Sequence, residues 1–302
     1  MSGLFLHKRL PHSTNLSDYV RLHSAVLLFG LAGLFGKFLS LSPLLIVAGR
    51  TFFASLTMGL ILMTVKSTAP KTSLKAYLVL LLLGFLLALH WVTFFQAIQM
   101  ATVAIGLLTY ASYPVFVVLI ESVTPKTRST KSTLLALSMV ILGLILIIPD
   151  FNLKQAASRG AIWGVVSGFS FAILTLANRR LVQQTSALII TGGENLGAFL
   201  LLLPFIWHKI PFVQFTEWEL LLFLGIVCTA LAHWLFNQGL RTVSAQNASI
   251  IATLEPVYGI LAAFFIIQES LVFSTILGGI IILIGSLIVT LHKLPNHNQK
   301  PL

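Results

Sequence analysis

The chain has 302 residues, of which 57% are hydrophobic and 9% charged, whereas a water-soluble domain carries about 25% charged residues. That arithmetic excludes a soluble fold, and apolar spanning helices of about 20 residues fit ten times into the length with roughly 100 positions left over. The balance of +11, from 19 Lys or Arg against 8 Asp or Glu, does not point to nucleic acid, because the basic residues lie between apolar runs and not on a folded polar face.

In chain order, a polar tail at 1–19 carries Lys8 and Arg9 and lacks the short apolar core and cleavage site of a secretory signal, so the first apolar run is expected to stay as a helix. Spanning helices are then predicted at 20–39, 43–65, 74–98, 102–121 and 132–149. A linker at 150–159 leads to five more at 160–181, 185–207, 218–240, 244–267 and 271–291, and a polar tail closes the chain at 292–302. Backbone groups cannot stay unpaired in hydrocarbon, and these runs are too long and too little alternating for barrel strands. The expected fold is therefore all-α and integral to the membrane, with ten transmembrane helices.

An inside N-terminus puts Lys8, Arg9, Arg21, Lys66, Lys71, Lys75, Lys126, Arg128, Lys131, Arg179, Arg180, Arg241, Lys293 and Lys300 on one side. The other side receives Lys37, Lys154, Arg159 and Lys209 together with the acidic Asp150, Glu217, Glu219 and Glu269. Cytoplasmic loops carry the excess of basic residues, so both termini are expected in the cytoplasm of a bacterial-type inner membrane and the helix count is even. The single cysteine, Cys228, lies in an apolar run and allows no intrachain disulfide.

Within the first run, Gly30, Gly33 and Gly36 form a small-residue face suited to close helix packing inside the chain, and no dimer is implied. Later features recur at one spacing. His90-Trp91 returns as His233-Trp234 after 143 residues, Gln96 as Gln238 and Pro114 as Pro256 after 142, and Gly49 and Ala54 meet Gly193 and Ala198 at 144. Composition alone would give only about 0.1 His-Trp pairs, so a duplication is the better account. Five helices in each half, 20–149 and 160–291, force the second to enter the membrane from the opposite side, which makes the halves inverted repeats. Folds of that kind place a ligand site near the midplane between the halves.

Charge at that depth is costly, by about 3 kcal/mol on insertion scales. At 1.5 Å per residue, Arg50 lies about 10 Å into the second helix, Glu194 about 14 Å into the seventh and Glu255 about 16 Å into the ninth. Arg50 is a candidate for holding a carboxylate or phosphate, and Glu194 or Glu255 for holding an amino group or a coupling proton. The competing role is a buried ion pair that locks the halves together. Pro114 and Pro256 each remove a backbone donor and are candidate hinges, with Pro256 freeing a carbonyl near Ala252. Tyr110 and Tyr113 flank the first and Tyr258 the second, in position to line a pocket.

His90 and His233 stand in no metal-ligand spacing and are better suited to helix-to-helix hydrogen bonds than to metal or proton relay. Trp91, Trp234, Gln96, Asn195, Asn237 and Gln238 are further candidates for contact with a ligand, with packing as the alternative for the tryptophans. No Walker loop, dinucleotide fingerprint or soluble domain is present, so neither an enzyme nor a cofactor or metal is expected.

The segments GLAGLFGKFLSLSPLLIVAGRTFFA (30–54), ALHWVTFFQAIQMATVAIGLLTYASYPVF (88–116) and IATLEPVYGILAAFFIIQES (251–270) resemble the EamA branch of the drug/metabolite transporter superfamily. Glu255-Pro256 followed by an apolar run ending in Glu269 is similar to its second-half signature, and Arg50 followed by Ala54 to its second-helix signature. The resemblance covers essentially the whole chain. It implies ten helices in two inverted halves and export or exchange of amino acids and related small metabolites by alternating access. Proton coupling is one option for the energy source. The alternative is exchange or flipping of a nucleotide-like or lipid-linked substrate. The partners so implied are a small-molecule substrate, membrane lipid and protons, without nucleic acid.

Overall fold

The computed structural model describes residues 16–64, 74–122, 131–147 and 152–292. Among these, every regular element is a helix. Much of the charge that sets the expected orientation, namely Lys8, Arg9, Lys66, Lys71, Lys126, Arg128, Asp150, Lys293 and Lys300, lies outside the described residues.

The first apolar run folds as α1 (Leu16–Ala32) and the single turn α2 (Phe35–Phe38), and α3 (Pro43–Thr64) and α4 (Leu74–Met100) follow. The next run divides into α5 (Val103–Tyr110) and α6 (Tyr113–Ser122), ahead of α7 (Lys131–Ile147). The remaining helices are α8 (Ala156–Leu181), α9 (Ala187–Ile206), α10 (Phe215–Gly225), α11 (Ala232–Gly239), α12 (Ala245–Ala252), α13 (Glu255–Ile266) and α14 (Phe273–His292). A 3-10 stretch, Trp207–Phe212, extends α9, and a π-helical turn, Ile226–Leu231, joins α10 to α11. Eight of the resulting helical stretches are long and apolar enough to cross a membrane, and two shorter apolar helices, Leu134–Ile147 and Phe273–Ile288, fall where the fifth and tenth spans are expected.

The outer face is apolar. Leu60, Leu82, Phe205 and Phe265 are each more than half exposed, a surface that belongs in hydrocarbon and not in water. The chain is a multi-pass membrane protein. Inside, α4 packs on α8 and α9, α3 on α9 and α10, α1 on α11 and α13, and α7 on α14. Small residues set these distances, because lipid tails give helices no hydrophobic reason to associate. A Cβ on Gly143 would stand 2.6 Å from the Gly278 carbonyl oxygen, and one on Gly278 would stand 2.6 Å from that of Gly143. Gly49 meets the Leu221 side chain and Gly193 that of Leu80, each at 2.7 Å from the ideal Cβ.

The two prolines stand where one helical segment passes into the next. Each sits in the first turn of a new helix, Pro114 in α6 and Pro256 in α13, where a missing N–H costs nothing. The helical path continues through Ala111–Ser112 and Thr253–Leu254 by tighter turns, Ser112 N–H to the Thr109 carbonyl at 3.3 Å and Leu254 N–H to the Ile251 carbonyl at 3.0 Å, so each is a kink. A glycine of another helix covers each kink. A Cβ on Gly168 would lie 2.7 Å from the Tyr110 carbonyl oxygen, and one on Gly30 would lie 2.8 Å from that of Glu255. The expected close approach at Gly30 is thus made to α13 within the same chain, while Gly36 packs on Ile98.

Candidate functional site

Arg50 is 1% exposed in the middle of α3. Its Nε donates to Thr229 Oγ1 at 2.8 Å and its Nη2 to the Cys228 carbonyl at 3.2 Å. Both acceptors belong to the π-helical turn, whose wider winding changes the direction of its backbone groups; such turns are frequent at functional sites. Thr229 in turn donates to the Leu224 carbonyl at 2.6 Å. The guanidinium lies over Trp91, 3.8 Å from the ring centroid, with Phe95 at 5.4 Å. Cation–π contact of this kind is worth about 2 kcal/mol or more away from water. Among the described residues no carboxylate forms an ion pair with Arg50. The locking pair with Glu194 or Glu255 is absent, because stacking and two hydrogen bonds hold the cation instead.

Glu255 opens α13 and is buried. Its position in the first turn suits a carboxylate, since free N–H groups and the helix dipole favour negative charge there. The Tyr110 side chain hydrogen-bonds to it, and its Oε2 has no hydrogen-bond partner among the described residues. Tyr113 stacks behind Tyr110, ring centroids 5.4 Å apart and planes 15° from parallel, and donates to the Ser249 carbonyl at 3.4 Å.

One cavity unites these groups. Arg50, His90, Tyr110, His233 and Glu255 supply its polar lining, and Phe29, Trp91, Phe94 and Phe171 its aromatic walls. Its free volume is about 10 Å³, room for roughly one water molecule. The site is closed in this conformation.

Glu194 lies behind that cavity, fully buried in α9. Asn178 Nδ2 donates to its Oε2 at 3.0 Å and Asn237 Nδ2 to its Oε1 at 3.2 Å. His233 Nδ1 is 2.7 Å from Oε1, an ion pair when the imidazole is protonated. A buried carboxylate needs such donors, because leaving it unpaired costs several kcal/mol. His233 is the link between the two clusters: it lines the cavity, approaches Glu194 and packs at a tilt against Trp91, ring centroids 5.4 Å apart and planes 52° from parallel. His90 makes the helix-to-helix contact expected of it, with Nδ1 2.8 Å from the Ser167 hydroxyl of α8.

Of the sequence candidates, the cavity gathers Arg50, His90, Trp91, Tyr110, His233 and Glu255. Tyr113 and Glu194 stand directly behind it. Gln96, Gln238 and Tyr258 are half-buried away from its lining. Asn195 donates to the Thr191 carbonyl of its own helix at 2.8 Å, and Trp234 packs with Ala54, Met58 and Ala230. Sequence reasoning passed over Phe29, Phe94, Phe171, Thr229 and Asn178. Only Asn178, a polar residue inside an apolar run, carried a readable signal. Among the described residues no three His, Cys, Asp or Glu are grouped to hold a metal ion.

Comparison with known proteins agrees with this architecture. The model of the EamA-like transporter family matches residues 20–148 and 158–291. An uncharacterized transporter of Archaeoglobus fulgidus is 34% identical over 197 residues, 65% of this chain and 70% of that one. The uncharacterized transporter YxxF of Bacillus subtilis is 28% identical over 250 residues, 80% of this chain and 79% of its own. YetK of the same organism, also an uncharacterized transporter, is 25% identical over 295 residues, covering 92% and 88%. A crystal structure with 17% identity superposes with a TM-score of 0.67 over 91% of this chain and 97% of that one, a likeness of fold.

Proposed function

Because the chain belongs to the EamA-like transporter family, we propose that it is a secondary exporter of amino acids or closely related small metabolites, working by alternating access and coupled to protons. The observation that carries this reading is the pairing, in one closed cavity, of a cation without a carboxylate partner and a carboxylate with an unpartnered oxygen. A zwitterion satisfies both, its carboxylate on Arg50 and its ammonium on Glu255. The aromatic walls exclude water and strengthen both contacts.

The proposed architecture is ten transmembrane helices in two inverted five-helix repeats, 20–149 and 160–291. Tails at 1–19 and 292–302 lie in the cytoplasm of a bacterial inner membrane, and a periplasmic linker spans 150–159. Matched packing supports the repeat. Gly49 on Leu221 mirrors Gly193 on Leu80, and the kinks at Pro114 and Pro256 fall 142 residues apart. Arg50 and Glu194 occupy equivalent places, and the packing of their helices is equivalent too: a Cβ on Gly225 would stand 2.9 Å from the Arg50 carbonyl oxygen, and one on Gly84 would stand 2.8 Å from that of Glu194.

Glu194 is the proposed proton carrier, since it sits outside the cavity yet reaches it through His233. Reconstitution into liposomes and counterflow of radiolabelled amino acids tests the whole reading. Glu255→Gln is expected to lower counterflow of zwitterions at least tenfold, about 1.4 kcal/mol of lost binding. Glu194→Gln should lose accumulation driven by a pH gradient to a greater extent than counterflow. If neither amino acids nor related zwitterions exchange across the wild-type liposomes, the substrate class is wrong.

A further inference from the structure

Two short turns stand at equivalent places in the chain, one between α4 and α5 and one between α11 and α12. Their helix caps, Thr102 and Ser244, are 142 residues apart, the same spacing as the two prolines. Each cap accepts a backbone N–H three residues on, from Ile105 and from Asn247, both at 3.1 Å. A carboxylate distant in sequence holds each turn.

At the first turn, Glu269 grips the N-terminus of α5, whose Val103 and Ala104 are buried. Its Oε2 accepts from the Val103 N–H at 2.9 Å and its Oε1 from the Ala104 N–H at 3.0 Å. The start of a helix offers unpaired N–H groups and a positive dipole end, so a carboxylate is well matched to it. Lys37 donates to the Ala101 carbonyl at 2.9 Å, and Gln99 to the Leu41 carbonyl at 2.8 Å. Glu269 is presented by Gln268, whose φ of 54° is a left-handed backbone that non-glycine residues seldom adopt.

At the second turn the carboxylate is Asp18 of α1, which accepts from Thr242 Oγ1 at 2.8 Å while paired with Arg21 at 2.6 Å. The Arg241 carbonyl accepts from Gln183 Nε2 at 2.9 Å and Arg179 Nη1 at 3.3 Å. In both cases a carboxylate distant in sequence fastens the turn and a cation donates to a carbonyl within it, Lys37 to Ala101 and Arg179 to Arg241.

The two fastenings are far apart. Asp18 and Lys37 lie near opposite ends of the helical stretch Leu16–Phe38, about 28 Å apart at 1.5 Å per residue. The closed cavity lies between them. We infer that the Glu269 grip on α5 and the Asp18 bond to Thr242 are the two gates of the transport cycle, released one at a time, and that this conformation has both shut. The inference rests on the transport reading above and adds the residues that control access to its site.

Thiol accessibility tests it without any substrate. Cys228, the single native cysteine, is replaced by serine, and Ala32→Cys or Phe94→Cys places a reporter on the cavity wall. A membrane-impermeant maleimide is then applied to either face of the full chain in sealed vesicles. Glu269→Gln and, independently, Lys37→Met should each raise reporter labelling from the Glu269 face about tenfold and leave the other face unchanged, since charge-assisted hydrogen bonds are the strong ones. Thr242→Val should do the converse. Labelling that stays at the parent rate on both faces in all three variants overturns the gates, as does opening of the wrong face. Normal one-sided opening without amino-acid counterflow would instead sink the substrate reading and leave the gates standing.

Discussion

An Arg50→Lys protein is expected to fold, reach the membrane and carry substrate at about one hundredth of the parent rate or less. Lysine keeps the charge, so a site that needed only a buried cation would tolerate it. The geometry asks for more. A planar guanidinium lies 3.8 Å above the Trp91 centroid while Nε reaches Thr229 and Nη2 reaches the Cys228 carbonyl, and a single ammonium cannot stack flat and serve both acceptors. Each hydrogen bond to a charged group is worth about 1.5–3 kcal/mol. Losing one such bond and the stack costs about 2.7 kcal/mol or more, which is a hundredfold in rate if the loss falls on the transition between states. The measurement is counterflow per folded molecule, with folding judged by size-exclusion elution and thermal midpoint. A variant that melts earlier yet exchanges substrate within threefold of the parent would make Arg50 a fastening between α3 and the π-helical turn and nothing more.

How far the sequence foretells this site depends on the kind of residue. Apolar runs are legible because hydrocarbon admits only helices that pair their own backbone. Arg50 and Glu255 stand out for a related reason, since a charge at mid-depth is too costly to be incidental. What holds them is not legible. IVCTAL, the segment that winds as a π-helical turn, carries no signal of it, and the acceptors of Arg50 follow from that turn. Phe29, Phe94 and Phe171 wall the cavity but are indistinguishable in sequence from the rest of 22 phenylalanines.

The proposed equivalence between the halves also stops short of fixing partners. Trp91 carries Arg50, whereas Trp234 packs on Ala54, Met58 and Ala230. In the proposed repeat the counterpart of Arg50 is Glu194, a carboxylate that gains nothing from the electron-rich face of an indole and takes amide donors from Asn178 and Asn237 instead. The helix kinks at Pro114 and Pro256 are legible as donor losses. What packs over them is not visible, because Gly168 and Gly30, far away in sequence, let other helices close over them.

Glycine contacts of that kind set the second large effect, a loss of stability in Gly84→Ala. The added methyl would stand 2.6 Å from the Ala198 nitrogen, 2.7 Å from the Gly197 carbonyl carbon and 2.8 Å from the Glu194 carbonyl oxygen. All three are backbone atoms, so no rotamer change relieves the clash and α4 must move away from α9. Overpacking of this sort costs about 1–3 kcal/mol, and the upper end is expected here because the displaced backbone is that of Glu194 itself. Helix propensity works the other way by about 1 kcal/mol, and Gly59→Ala measures that term alone, since nothing lies within 4 Å of its Cβ position. In detergent, Gly59→Ala should keep or raise the apparent thermal midpoint, and Gly84→Ala should lower it by several degrees. Its transport should fall as well, because a shift of α9 moves Glu194 relative to Asn178 on α8 and His233 on α11. A Gly84→Ala midpoint at or above that of Gly59→Ala would mean that the two helices are not held at this distance, and that glycine serves α4 only by its small size in lipid.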